Sequence, residues 1–249
     1  LLGAFLPNDT GGYPLAMELC ENETAGLYSG LIVASMFGCT LTFSLPFAMN
    51  VLNKKDIPYF TYGTLIGMIC VPVASLLGGI VAGFEIRMLL INTAPIAVIS
   101  VIFALGLKMF PNVMIKFSQA LGKIIMLFGT AGLAAAGFEA LTGVVIIPGM
   151  ADVNGAMEVV ATIGVILMGA LPILALLTKI LEKPMMAMGD KMGLDVDSMV
   201  GIVMTLSNNV PVIQNLKKMN SRGKIFCSAF NVCAPAALGD HLGFTAGVA

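Results

Sequence analysis

Six polar residues stand in or beside long apolar runs: Asp9, Thr10, Asn208, Asn209, Asp240 and His241. A polar or ionisable group inside hydrocarbon is costly unless it is paired or wetted, so each is a candidate for ligand contact. Asp9 and Asp240 can supply negative charge to a cation, and Thr10, Asn208 and Asn209 can supply donors and acceptors. His241, the sole histidine, follows Asp240 directly and could work with it as an acid–base pair. Plainer readings stand beside these. Asp9 could cap a helix together with Thr10, either asparagine could do the same, and Asp240 with His241 could be a structural pair buried between helices. Glu139 also interrupts an apolar run, but the window slides to leave it at a membrane edge. Glu18, Glu21 and Glu23 read as a solvated acidic loop.

Other chemistries lack their residues. The chain carries no G-x-S-x-G, no G-x-x-x-x-G-K-[ST], no G-x-G-x-x-G and no H-E-x-x-H. Its 5 cysteines form no C-x-x-C, and with 1 histidine a Cys/His zinc site has no footing. We therefore expect no cofactor, no metal and no enzymatic activity. A net charge of −1 gives no basic footprint for nucleic acid.

The elements that must position these residues follow from composition. Of 249 residues 58% are hydrophobic and 11% charged, against about a quarter charged in soluble domains, and the mean hydropathy is +0.96. The solvent for most of the chain is lipid. Crossing hydrocarbon takes about 20 apolar residues, and the windows 24–53, 58–84, 88–107, 124–150 and 159–178 supply crossings. Lys54, Lys55, Lys108, Lys116 and Lys123 mark cytoplasmic loops, while the loops at 20–25 and 139–158 contain no Lys or Arg. The mixed charge from Glu182 to Asp197 suits a helix along the interface. Residues 198–216 are uncharged but lead to Lys217, Lys218, Arg222 and Lys224, and S-N-N-V-P at Ser207–Pro211 interrupts them. A hairpin that dips in and returns to the same side satisfies both facts.

The start of the chain has the same shape, with N-D-T-G-G-Y-P at Asn8–Pro14 before a short helix. A shift of 197 positions superposes Pro14 on Pro211, Leu19 on Leu216, Gly26 on Gly223, Leu41 on Leu238, Leu45 on Leu242 and Phe47 on Phe244. The charged loop within the first copy is acidic (Glu18, Glu21 and Glu23) and that within the second is basic, so the copies face opposite sides. Paired, Gly/Pro-interrupted segments of this kind point to the midplane site of a secondary transporter. The small-residue motifs Gly79–Gly83 and Gly132–Ala136 read as helix packing. The expected fold is an all-α polytopic membrane protein of about six to seven transmembrane helices. It forms one transmembrane domain over 1–249, with interrupted, re-entrant segments related as an inverted repeat, copy one about 1–50 and copy two about 198–249. The opening L-L-G-A-F-L without Met and the apolar ending at L-G-F-T-A-G-V-A suggest an internal piece of a longer protein.

The motifs D-T-G-G-Y-P-L-A-M-E-L at Asp9–Leu19, L-Y-S-G-L-I at Leu27–Ile32, A-L-G-L-K at Ala104–Lys108, E-K-P at Glu182–Pro184, N-N-V-P at Asn208–Pro211 and A-L-G-D-H-L-G-F at Ala237–Phe244 carry a resemblance. In this order they resemble the EutH family, the ethanolamine transporters of bacterial ethanolamine-utilisation operons. The resemblance implies a multi-pass protein of the bacterial cytoplasmic (inner) membrane whose partners are ethanolamine and the lipid bilayer. An oligomer fits it as well as a monomer does. It brings no list of site residues, so Asp9, Thr10, Asn208, Asn209, Asp240 and His241 remain the substrate-binding candidates on chemical grounds. Ethanolamine at neutral pH is a small ammonium with a hydroxyl, which calls for a carboxylate with amide and hydroxyl partners. Tyr13 and Phe244 are the aromatic groups nearest these motifs. The rival expectations are a membrane-embedded enzyme using Asp240 and His241, a carrier of another small polar amine, and a structural or receptor-like membrane protein.

Overall fold

The computed structural model describes residues 12–150 and 153–248. Among the described residues every regular element is helical. Asp9 and Thr10 lie outside them.

Among the described residues three segments are long and apolar enough to cross a bilayer: Glu23–Val51, Ile57–Val81 and Ile86–Met109. They match the first three apolar windows to within a few residues. The chain opens with the short helix α1 (Tyr13–Leu19), which has Pro14 in its first turn, where a missing N–H costs nothing. Asn22 then caps α2 (Glu23–Leu27) by accepting the Ala25 N–H at 2.8 Å. The helix continues through two π-helical stretches, Tyr28–Gly38 and Thr40–Ser44, into α3 (Leu45–Val51). Next come α4 (Ile57–Val81) and α5 (Ile86–Met109), which pack along each other.

Two of the charged stretches expected as loops are largely helical. Of the loop expected at 108–123, all beyond Pro111 belongs to α6 (Pro111–Thr142). Pro111 starts a new helix as soon as α5 stops, and Gly143, at φ 72°, ends it. Likewise α7 (Val153–Met192) runs on through the segment expected to lie as a separate interfacial helix, and the chain turns only at Gly193, at φ 69°. Lys, Glu, Met and Ala are good helix formers, so the charges there do not interrupt the helix.

The last part holds α8 (Val196–Ser207), α9 (Asn209–Asn215), α10 (Ser221–Cys233) and α11 (Asp240–Val248). α8 and α9 form the expected hairpin. The Asp195 carboxylate at its entrance accepts the Ser198 N–H at 3.1 Å and, through its other oxygen, the Asn220 N–H at 2.8 Å at its exit. The Ser198 hydroxyl also bonds Asp195. Burial pushes the Asp195 carboxyl up, but these hydrogen bonds outweigh it and hold its pKa below the usual carboxylate value.

The core lies between α4, α5, α10 and the π-helical segment, with Tyr28, Phe60, Met68, Leu89 and Val232 buried in it. Close approach of α4 to α10 depends on Gly63 and Gly67, where a Cβ would run into Ile225 and Ala229 backbone. Of the motifs expected to pack helices, Gly79 does touch Leu89 and Tyr28, whereas Gly83 is a helix-ending residue in open space and nothing lies near a Cβ at Gly132. Tyr28 Oη and Thr93 Oγ1, 2.6 Å apart, tie the π-helical segment to α5.

The ends of α4, about 37 Å apart at 1.5 Å per residue, differ in charge. Beyond its C-terminal end Glu21 and Glu85 share a cavity with Arg87 and Asn92. Before its N-terminal end Asp56 pairs with Lys224, close in sequence to Lys54, Lys55, Lys217 and Lys218.

Candidate functional site

Inside an apolar protein a broken helix leaves backbone groups without partners, and the geometry of this site follows from how they are satisfied. α8 stops at Ser207, and Asn208 adopts an extended conformation, φ −159° and ψ 131°. Its side chain folds back to accept the Val210 N–H at 2.8 Å, capping α9. The last carbonyls of α8 still need donors. They come from a second break, the non-helical turn 234–239 between α10 and α11: the Ala236 N–H reaches the Thr205 carbonyl and the Leu238 N–H the Leu206 carbonyl, both at 2.7 Å. Pro235 has no N–H with which to continue α10. Ala236 takes the left-handed conformation, φ 48°, and Gly239 lies so close to the Ser207 carbonyl that a Cβ there would overlap it. Each interruption satisfies part of the other.

Around this crossing the candidates separate. Asn208 is exposed and spends its side-chain oxygen on the cap. Asn209, 6% exposed, turns inward, its Nδ2 3.3 Å from Ser44 Oγ and 3.7 Å from Cys39 Sγ. Asp240 opens α11 and is exposed at its first turn. His241, half-buried, donates its backbone N–H to the Ala236 carbonyl at 3.3 Å and borders a groove of about 290 Å³ with Ser35, Pro235 and Thr245. The structure thus brings the Asn208–Asn209 break against the turn that leads into Asp240 and His241, but puts Asn209 in the interior and Asp240 at the surface.

Two further residues join the interior cluster. Asn231, 2% exposed, donates from Nδ2 to Ser44 Oγ at 3.4 Å, and its Oδ1 has no hydrogen-bond partner among the described residues. Ser44 therefore receives two amides, from the hairpin tip and from α10. The signal for Asn231 was an amide within the uncharged run Ile225–Gly239. For Ser44 the sequence carried none, because one serine in an apolar helix is ordinary.

Tyr13 and Phe244 meet edge to face, centroids 5.7 Å apart, and Tyr13 Oη reaches the Val248 carbonyl at 3.5 Å. α1 thereby touches α11. Glu139 sits in the last turn of α6, in keeping with an edge position.

Comparison with known proteins decides the family, since the model of "Ethanolamine utilisation protein, EutH" matches residues 1–249. The chain belongs to the EutH family. It is 43% identical over 244 residues to a "Probable ethanolamine permease EutH" of Listeria monocytogenes, covering 98% of this chain and 65% of that protein. It is 39% identical over 240 residues to "Uncharacterized protein YxeR" of Bacillus subtilis, covering 96% of this chain and 65% of the relative. A "Probable ethanolamine permease EutH" of Escherichia coli is 38% identical over 268 aligned positions, covering 98% and 66%. The chain thus spans just under two thirds of the length of these EutH-family relatives. No solved structure matches it.

Proposed function

We propose that this chain is the membrane core of an ethanolamine permease, working by alternating access or facilitated diffusion in the bacterial inner membrane. The observation that carries the reading is the mutual satisfaction of two helix breaks inside an apolar protein, the kind of interruption at which secondary transporters bind small polar solutes. Relatives named as probable ethanolamine permeases supply the substrate, and the same names point away from an enzyme. Asn209 and the Asp240–His241 turn, with Asp9 and Thr10 from the first copy, form the substrate site in this reading. Asn208 holds the break open as its cap.

We further read the chain as an inverted repeat. Short helices of equal length, Tyr13–Leu19 and Asn209–Asn215, each lead to a helix capped by asparagine, Asn22 and Asn220. The second link is longer, so the gapless shift of 197 holds only on average. Cys39, between the π-helical stretches, and Ala237, inside the non-helical turn, stand equally far beyond these caps. The contacts are reciprocal as well. α1 touches the end of the second copy through Tyr13 and Phe244, and α9 touches the end of the first through Asn209 and Ser44. Such reciprocity is what a pseudo-two-fold axis requires.

The test is uptake of labelled ethanolamine into proteoliposomes of the full-length protein, with and without an imposed ion gradient. Saturable uptake, accelerated or not by the gradient, supports the permease. Chemical conversion without accumulation, or no flux above empty liposomes, overturns it.

A further inference from the structure

Asp56 is the one carboxylate in the buried class among the described residues, at 1% exposure. It precedes α4 without capping it. One oxygen, Oδ1, holds the Lys224 ammonium at 2.6 Å, while Oδ2 accepts no hydrogen bond among the described residues. A buried carboxylate oxygen left without a donor is costly. Lys224 is itself 12% exposed, and its Nζ stands 5.5 Å from the centroid of the Tyr59 ring. A carboxylate on one side and an aromatic face on the other are the partners a small primary ammonium seeks. The lysine side chain is a primary alkylammonium on a tether.

We propose that Asp56, with Tyr59, is a second binding station for a small primary ammonium at the basic end of the helices, which Lys224 fills when the ligand is absent and leaves when it arrives. The inference rests on reading the chain as a carrier of ethanolamine, and it names the chemistry that the carrier's basic end recognises. Exchanging one ammonium for another leaves the local charge unchanged, so the buried carboxylate is never bare. The displaced head group can swing toward water on its flexible four-carbon stem. Oδ2 offers the arriving molecule a second acceptor, for another N–H or for a hydroxyl. The other charged neighbours on the two packed segments, Lys54 and Lys55 before α4 and Arg222 on α10, are basic, and the carboxylate beside the start of α10, Asp195, is already engaged by the Ser198 and Asn220 N–H groups. Because α4 and α10 are locked at Gly63 and Gly67, the exchange is a side-chain movement and needs no parting of these helices.

The experiment uses the purified full-length protein and its Lys224→Ala, Lys224→Gln and Asp56→Asn/Lys224→Gln variants. Thermal unfolding is followed with ethylammonium, ethanolamine or tetramethylammonium added, and labelled ethanolamine binding is measured at equilibrium. Removing the tethered competitor should let ethylammonium and ethanolamine raise the Tm of Lys224→Ala by about 3 °C or more, with tetramethylammonium, which has no N–H, inactive. Lys224→Gln should bind ethanolamine about tenfold more tightly than wild type, the worth of one charge-assisted hydrogen bond, and the double variant should lose that gain. If Lys224→Ala does not fold, the pair of glutamine variants, in which the double variant is neutral at both positions, carries the comparison. Equal affinity in these two variants, or a Tm response that ignores the N–H of the ligand, would overturn the station and leave the pair as a structural clasp. Selective stabilisation in a protein that moves no ethanolamine would uphold the station and overturn the permease reading.

Discussion

The segments Glu23–Val51 and Ser221–Val248 solve one problem in different ways. Both are interrupted part-way along, yet the first stays helical by slipping into π-helical register and the second opens into a turn. In the first the backbone remains satisfied within the segment. The Thr40 and Thr42 hydroxyls fold back onto the Met36 and Gly38 carbonyls at 2.8 and 2.9 Å, which favours distortion without rupture. The second contains Pro235 and Gly239, and its free donors go to the carbonyls of α8. The π-helical segment thus keeps its backbone bonds to itself, whereas the open segment depends on the hairpin, and a change at the turn 234–239 must be felt at the hairpin break.

Substitutions can break or sharpen that contrast. The largest effect should come from Gly239→Leu, whose side chain cannot coexist with the Ser207 carbonyl. It should cost about 3 kcal/mol or more and lower the yield of folded protein in size-exclusion and thermal-unfolding measurements, with ethanolamine uptake lost. Next in size, Asn209→Leu should reduce uptake about tenfold or more while the protein still inserts, because it removes the amide shared with Ser44. Asp240→Asn, in the exposed first turn of α11, should also weaken uptake by removing the attraction for an ammonium. Unchanged uptake in either variant would take that residue out of the site.

A smaller effect is expected at the hairpin's base. Asp195→Ala removes the cap of α8 and the link to Asn220, and should cost about 1–2 kcal/mol in thermal unfolding. The sign with pH is set by the depressed pKa. The contribution of Asp195 is complete above its ordinary unfolded value and is lost as pH falls through the lower folded value, so the gap between wild type and variant should close only in strong acid. Smallest of all, Thr40→Val should cost about 0.5 kcal/mol, since the π-helical segment keeps its backbone bonds without the hydroxyl.

Much of this was legible in the residues. Apolar length set the helices around 24–53, 58–84 and 88–107, and S-N-N-V-P marked a helix end and a helix start within five residues. The interior partners were not legible, because pairing Asn209 and Asn231 on Ser44 depends on how three distant segments meet. Asp56 and Lys224 were hidden for another reason. Each lies among loop lysines, where charge is normally solvated, and only the packing of α10 on α4 takes both out of water. The turn 234–239 sits in a run that reads as one apolar helix, and Pro235 alone does not say that the chain will open instead of kinking.

We propose that the two segments belong to inverted copies, and sidedness tests this reading most directly. Single cysteines at Glu21 and Lys218, in a full-length protein freed of Cys20, Cys39, Cys70, Cys227 and Cys233, are to be labelled with a membrane-impermeant maleimide in intact cells and in inverted vesicles. Glu21→Cys should label only from the outside and Lys218→Cys only from the inside, as their places at opposite ends of α4 require. Labelling of both from the same side would contradict the inverted pair.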